Sequence, residues 1–372
     1  MPAQGQRQAA STPGERERKT KPAPLAVRPS SSILLLSPTN QVLLLHRVHS
    51  STSFASAHVF PGGNLSSFHD GPLLPADSPD LHNDSPSYRL AAVRETFEES
   101  GVLLVRKPGQ SQDEGLLHVP EDVREAGRKQ IHGNQVKFTE WVKQLGGEPD
   151  VENLIPFTRW ITPHGPPKRF TTQMYLYMLP LSSESLPATD PLLQNQKQET
   201  IIPAPSHDGG LEHTAATFDD ARAWLEKARR GEIILFPPQF YLLHLVSQFL
   251  HPLPPTAPSS GSATLEYRQA QRSALLSFLS KVPTSQHADK QGTCDIPWSE
   301  KVISPAALFV RQRDGRVVLG LDKPGPELRG SRRGGDWDRV VLVRFEKGGP
   351  RDVEVRWRDE VVKEEREDGS RL

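Results

Sequence analysis

The run Arg94-Glu95-Thr96-Phe97-Glu98-Glu99-Ser100-Gly101-Val102 constrains this chain more than any other stretch, and Arg94 lies 31 positions after the last glycine of a Phe60-Pro61-Gly62-Gly63 turn. On a helix, residues three and four apart are neighbours, so Glu95, Glu98 and Glu99 project toward one region and Arg94 reaches Glu98. Like charges at that spacing repel by roughly a few tenths of a kcal/mol each, a cost that a divalent cation among the oxygens would offset. Taken alone, such a run also suits a solvated acidic helix face. The Gly-Gly turn before it and the glycine after it favour a site, because Gly101, with no Cβ, closes a last helical turn in the left-handed conformation. Upstream, 30–36 and 41–46 read as strands joined by the turn formers of Ser37-Pro38-Thr39-Asn40. The local order is strand, strand, glycine turn, carboxylate helix.

Charge and cysteine usage narrow the class. Lys plus Arg and Asp plus Glu are 45 each in 372 residues, so there is no bulk basic field and no DNA partner is expected. A single cysteine, Cys294, excludes an internal disulfide and a multi-cysteine zinc site. It reads as an ordinary thiol in a reducing compartment. No apolar run approaches the roughly 18 residues of a membrane helix, so a soluble protein with no membrane partner is expected. Residues 1–29, rich in Gln, Arg, Lys, Pro and Ser, read as disordered, and Glu15 and Glu17 argue against an organelle presequence. His46, His49 and His58 flank the glycine turn without a carboxylate pattern of their own and read as packing or surface residues rather than zinc ligands.

Along the chain, 64–87 carries four prolines among Ser, Asp and His and predicts a surface loop. Residues 120–146 predict one or two helices, and 156–161 and 169–179 predict strands, the second with the blurred alternation of a strand buried on both faces. A helix is expected over 218–229, opening with Asp219 and Asp220, and another over 241–250 after Pro237-Pro238. Residues 252–262 read as a linker. Residues 263–372 then read as an accessory helix over 265–282 and a small β-unit over 303–358, with Asp314-Gly315 as a hairpin turn. That unit is expected to cover the rest of the protein or form a dimer contact, with no chemistry of its own.

The residues from Arg94 to Val102 resemble the Nudix hydrolases, whose signature runs Gly, five residues, Glu, seven residues, then Arg-Glu-U-x-Glu-Glu-x-Gly-U, with U a bulky aliphatic. Thr96 stands where that pattern has an aliphatic residue, and the spacing from Gly63 to Arg94 is 31 where the pattern has 14. The first glutamate has no counterpart eight positions before Arg94, which is Pro86, and the inserted stretch offers only Asp70, Asp77, Asp80 and Asp84. A long insertion there resembles the peroxisomal coenzyme A diphosphatase branch of the family. So do His58-Val59-Phe60-Pro61-Gly62-Gly63, Arg159-Trp160-Ile161-Thr162-Pro163, Lys168-Arg169-Phe170-Thr171-Thr172 and Phe236-Pro237-Pro238-Gln239-Phe240-Tyr241, in that order.

The resemblance implies a Nudix-type α/β/α sandwich over 30–251 with a C-terminal accessory β-rich region, and metal-dependent hydrolysis of the pyrophosphate of coenzyme A or acyl-coenzyme A. An anhydride already bears negative oxygens, so attack by water calls for a divalent cation, Mg²⁺ or Mn²⁺. Glu98 and Glu99 resemble the family's metal ligands, Glu95 a third carboxylate that is a ligand or the acceptor of the water's proton, Arg94 the residue that orients them, and Gly63 the turn whose carbonyl approaches the metal. Glu212, then Glu199, is the candidate for a further acid from a later loop. Arg47, Arg159, Lys168 and Arg169 are candidate contacts for the 3′-phosphate. Two alternatives remain: a pyrophosphatase acting on NADH, ADP-ribose or capped RNA, and a catalytically inactive nucleotide-binding module, motivated by Thr96 and the missing glutamate. Ser370-Arg371-Leu372 resembles the Ser-Lys-Leu address read by the peroxisomal import receptor, so the expected location is peroxisomal and otherwise cytosolic.

Overall fold

The computed structural model describes residues 26–47, 56–110, 115–181, 213–254, 261–285 and 293–370. The first part of the chain forms β1 (Arg28–Leu36), β2 (Val42–Arg47), β3 (His58–Val59), β4 (Gly62–Asn64), α1 (Pro86–Ser100), β5 (Val105–Arg106), α2 (Glu121–His132) and α3 (Phe138–Gln144). The middle part forms β6 (Glu148–Pro149), β7 (Ile155–Ile161), β8 (Phe170–Met178), β9 (His213–Asp219), α4 (Ala221–Arg229), α5 (Pro237–Val246) and α6 (Ser262–Ser280). The last part forms β10 (Val302–Ile303), β11 (Ala306–Val310), β12 (Val317–Leu321), β13 (Asp336–Glu346), β14 (Gly349–Trp357) and α7 (Arg358–Gly369).

A mixed eight-stranded sheet runs β10-β7-β8-β1-β2-β3, with β4 also on β1 and β9 also on β2. β1 pairs in parallel with β8 along its length, from Arg28 opposite Phe170 to Leu36 opposite Met178. On its other edge, Ser30 to Ser32 pair with β4, and only Leu36 meets β2. Because side chains alternate across a strand, the apolar runs of β1, β2 and β8 supply two cores. Ile33, Leu35, Leu43, Leu45, Tyr175 and Tyr177 pack with Ala91, Phe97, Ile131, Phe138 and Trp141 from α1, α2 and α3. Leu34, Leu36, Val42, Leu44, Leu176 and Met178 pack with Trp224, Phe240, Leu243 and Leu275 from α4, α5 and α6. Helices on both faces make an α/β/α sandwich, and they explain why Ile33-Leu34-Leu35-Leu36 is continuous rather than alternating.

The C-terminal four-stranded sheet, β11-β12-β13-β14, is an antiparallel meander. Leu319, Leu321, Val341, Val343 and Val353 on one face belong to the same core as Leu34 and Trp160, whereas Val318, Val340 and Leu342 on the other pack with Val361 of α7. β10 adds in parallel to β7, at the edge of the main sheet. Residues 302–361 are therefore continuous with the sandwich core.

Several sequence expectations shift. β1 begins at Arg28, inside the stretch read as disordered, because Arg28 pairs opposite Phe170. Phe218 and Asp219 end a strand paired with β2 rather than opening a helix, and Asp220 is the N-cap of α4. α5 starts at Pro237, whose fixed φ and missing N–H suit a first turn. The stretch 64–87 is anchored by a short 3₁₀ turn at Pro79–His82 whose Leu81 and His82 are buried, and α1 begins within it, at Pro86. No helix among the described residues is long and apolar enough to cross a membrane. Most of 1–29, and Arg371 and Leu372, lie outside the described residues.

Candidate active site

α1 ends at Gly101, in the left-handed conformation with φ 74°, its N–H donating to Phe97 O. This places Glu95, Glu98 and Glu99 on the last two turns, beside β4. The approach is close: a Cβ on Gly63 would stand 2.5 Å from Glu95 Oε2, and the Gly62 N–H donates to Glu99 Oε2 at 2.7 Å. Arg94, 3% exposed, organises the cluster. Its Nη1 donates to Glu95 Oε1 at 2.7 Å and Glu98 Oε1 at 2.8 Å, and its Nη2 to Asn64 O at 3.1 Å. Glu98 Oε2 also lies 3.3 Å from His132 Nδ1.

The remaining N–H groups of Arg94 find Asp70, through Nε to Oδ1 at 2.9 Å and Nη2 to Oδ2 at 2.8 Å. Sequence reasoning counted back from Arg94 and left Asp70 without a role. Counting forward from Gly63, the glutamate of the Nudix pattern falls at His69, and Asp70 follows it. Asp70, one residue after that position, is the carboxylate of the inserted stretch that reaches Arg94. Thr96, the other departure, is fully buried and donates its hydroxyl to Ala92 O at 2.8 Å, so the polar atom is satisfied inside the helix.

Burial works against the charge of Arg94, but Glu95, Asp70 and Glu98 outweigh it and hold its pKa above the usual arginine value. Burial pushes the Glu95 carboxyl up to about 7, even though Arg94 pulls it down. Among the described residues no three His, Cys, Asp or Glu side chains converge as a preformed metal cage, and Arg94 holds Glu95 and Glu98 in ion pairs. In donor type the residues nonetheless fit a hard divalent cation: three carboxylates and a backbone that only glycine lets approach.

Glu95, Glu99 and Gly63 open on a cleft of about 2010 Å³, well above the roughly 300–1,000 Å³ of an ordinary small-ligand site. Glu98 opens instead, with His132, on an adjoining pocket of about 450 Å³ that shares Glu95 and Glu99. Among the described residues Glu95 and Glu99 are the only acids lining the cleft, against Arg28, Arg47, Lys168, Lys323, Arg329 and Arg332. The last three come from the C-terminal segment, whose loops contribute cations to the cleft lining as well as covering the rest of the protein. Composition concealed this, since the fold alone brings 323–332 into the cleft that the glycine turn lines.

Two expected substrate cations are elsewhere. Arg159 is fully buried, 4.4 Å from the Tyr88 ring centre, and donates to Asn83 O at 2.8 Å and Thr171 Oγ1 at 3.1 Å. It ties the 79–83 turn to the sheet. Arg169, 3% exposed, pairs with Glu327 at 2.6 Å and donates to Thr162 O. Neither lines the cleft. His46 and His58 stack with ring centres 4.7 Å apart. Glu212, Glu199 and His49 lie outside the described residues.

The family model of the NUDT19 Nudix domain matches residues 76–246. The acyl-coenzyme A diphosphatase NUDT19 of Gallus gallus is 27% identical over 253 residues, covering 56% of this chain and 61% of that one. The protein of the same name from Homo sapiens is 26% identical over 249 residues, covering 56% and 61%. The match thus spans about three fifths of the curated relatives' length. Among solved structures, a NUDIX hydrolase from Alicyclobacillus acidocaldarius matches with a TM-score of 0.43 and 21% identity, over 59% of this chain and 90% of that one. The Arg94 cluster lies within the matched region and the glycine turn just before it, so over residues 76–246 the chain is similar to the Nudix hydrolase domain of NUDT19.

Proposed function

We propose that this chain hydrolyses the pyrophosphate bond of coenzyme A or acyl-coenzyme A, giving 3′,5′-ADP and 4′-phosphopantetheine or its acylated form. The observation that carries the reading is the pairing of Glu95 and Glu99, beside Gly63, with a long cleft whose other charged lining is cationic. A substrate bearing an anhydride, a separate 3′-phosphate and a long uncharged arm matches that distribution, and the relatives named as acyl-coenzyme A diphosphatases support it.

In this reading Glu98, Glu99 and the Gly63 carbonyl would hold Mg²⁺ or Mn²⁺, which would supply charge neutralisation at the phosphate oxygens and a more acidic water. Arg94, itself held by Asp70, fixes the rotamers of Glu95 and Glu98. Glu95 is the third carboxylate, sharing the ion or taking the water's proton on Oε2, the oxygen that Arg94 leaves unengaged. The water oxygen bonds to one phosphorus as the bridging P–O bond breaks, and the bridging oxygen leaves with the other phosphate. Arg47, Lys168, Lys323, Arg329 and Arg332 are the cations proposed for the phosphates. Peroxisomal delivery through the import receptor is proposed on Ser370-Arg371-Leu372 alone, and a fluorescent fusion that stays cytosolic despite a native C-terminus would overturn it.

Chromatography of coenzyme A digests tests the activity. Cleavage should require added Mg²⁺ or Mn²⁺ and collapse in Glu98→Gln and Glu99→Gln, with the fold retained. Dephospho-coenzyme A, which lacks the 3′-phosphate, should bind about 1.5–3 kcal/mol more weakly, the worth of a hydrogen bond to a charged group. Full activity in chelator sinks the metal assignment. Faster cleavage of NADH or ADP-ribose transfers the reading to those substrates, and inactivity on every pyrophosphate leaves a binding module.

A further inference from the structure

The apolar lining of the cleft has no part in the catalytic cluster, and some of it comes from the C-terminal meander, beyond the matched residues 76–246. On β13, side chains two apart share a face, so Val341, Val343 and Phe345 point the same way. Val341 and Val343 are fully buried in the sandwich core, whereas Phe345 is 56% exposed and lines the cleft. Ala307 of β11 pairs opposite Leu319 of β12, which pairs in turn opposite Val341. Residues directly opposite in an antiparallel pair share a face, so Ala307 and Leu319, which also line the cleft, extend the same apolar surface. The hairpin that carries Phe345 is docked on the sandwich. A Cβ on Gly349 would stand 3.2 Å from Ile234 Cγ2, Arg351 Nη1 donates to Gly231 O at 3.4 Å, and Ile234 O accepts from the His58 N–H at 2.9 Å. Residues 231–234 lead directly into Phe236, which lines the cleft with Pro238 and Leu242. The loop bearing Lys323, Arg329 and Arg332 precedes β13, so it lies at the other end of that strand, about 30 Å from Phe345 along it. Cations at one end and an open apolar face at the other fit an anionic head with a long apolar tail.

We propose that Phe345, Ala307 and Leu319 of the meander form, with Phe236 and Leu242, a subsite for the aliphatic chain of an acyl thioester, so that the C-terminal segment makes the protein prefer acyl-coenzyme A to free coenzyme A. This deepens the coenzyme A reading and rests on it. The test is titration calorimetry of the full chain with 4′-phosphopantetheine and with its S-octanoyl ester, neither of which has an anhydride to cleave. The ester should bind at least about tenfold more tightly, since each methylene buried is worth roughly fourfold, and with a more negative heat-capacity change. Phe345→Ser, at an exposed position outside the catalytic cluster, should weaken the ester roughly tenfold and leave 4′-phosphopantetheine within about twofold. If Phe345→Ser fails to fold by circular dichroism, Ala307→Asp, also at an exposed position, decides in its place. Equal affinity for the two ligands, a gain that survives the substitution, or no binding of either ligand to the unmodified protein overturns the subsite. A gain lost in the variant without cleavage of any coenzyme A species would sink the hydrolase reading and keep the subsite, and cleavage with equal affinity for the two ligands would do the reverse.

Discussion

At the residue scale, the two glycines of the turn make opposite predictions. A Cβ on Gly63 would meet only the end of a flexible side chain, the Glu95 carboxyl at 2.5 Å, whereas one on Gly62 would meet the main-chain oxygen of Ser31 at 2.3 Å. Gly63→Ala should therefore keep its melting temperature within a few degrees while losing about 10²-fold in turnover, since a displacement near 1 Å at a reacting group costs that much. Gly62→Ala should instead lose stability, because it forces β4 off β1. Equal turnover in Gly63→Ala and the parent would detach Glu95 from catalysis. Histidines make the pH prediction. Burial pushes His58, His82 and His244 down to about 4, with cations nearby adding to the effect, Arg159 in the case of His82. They are neutral in the fold, so below about pH 6.5 the unfolded chain takes up protons that the folded one refuses. Their contribution is full above pH 6.5 and is lost as pH falls toward 4. Urea midpoints should fall between pH 7 and 5, less steeply in His82→Asn, whose amide can keep the bond to Thr171 Oγ1. A flat profile would contradict the buried neutral state.

At the element scale, α6 clamps the β1–β2 turn. Arg272 donates to Asn40 Oδ1 at 2.7 Å, Leu179 O at 2.7 Å and Ser37 O at 2.8 Å. Burial, with Arg268 adding to it, pulls its pKa down to about 9, and the acceptors that hold it are an amide oxygen and two main-chain carbonyls rather than carboxylates. Arg272→Leu should cost about 1–3 kcal/mol in urea denaturation through orphaned carbonyls, and Arg272→Lys should not rescue it, since an ammonium lacks the fork. Full stability in Arg272→Leu would show the clamp to be incidental. The carboxylate helix was legible in sequence because its signals are local: periodic carboxylates and a glycine stop. Phe218-Asp219 was misread because apolar and acidic residues satisfy a helix start as well as a strand end, and only pairing with β2 decides between them.

On the scale of the whole molecule, the C-terminal segment completes the core and the cleft. Leu275, Trp298, Ile303, Leu319, Leu321, Val341 and Val343 share one core with Leu34, Trp160 and Leu176. Each such side chain contributes roughly 1.5–3 kcal/mol by burial, and a typical domain has only about 5–15 kcal/mol to lose. A chain ended after residue 254 should therefore show no cooperative melting transition and should aggregate on expression. A cooperative melt in that fragment would make the segment a separable appendage. In a fragment that folded, the loss of Lys323, Arg329 and Arg332 would still remove a cationic wall.

The sequence by itself determined the carboxylate helix and the glycine turn, because backbone conformation at Gly101 and side-chain spacing along α1 are properties of adjacent residues. Only the tertiary structure decided which acids and cations meet. Asp70 reaches Arg94 across 24 positions, and Lys323 comes to the cleft from beyond 300, in the segment whose β10 docks on β7. Arg159 and Arg169 show the converse: beside the right motifs in sequence, they are drawn under the sheet edge by main-chain carbonyls and Glu327. Spacing along a helix can be read from the chain, whereas which side of a strand faces solvent depends on what the rest of the chain buries against it.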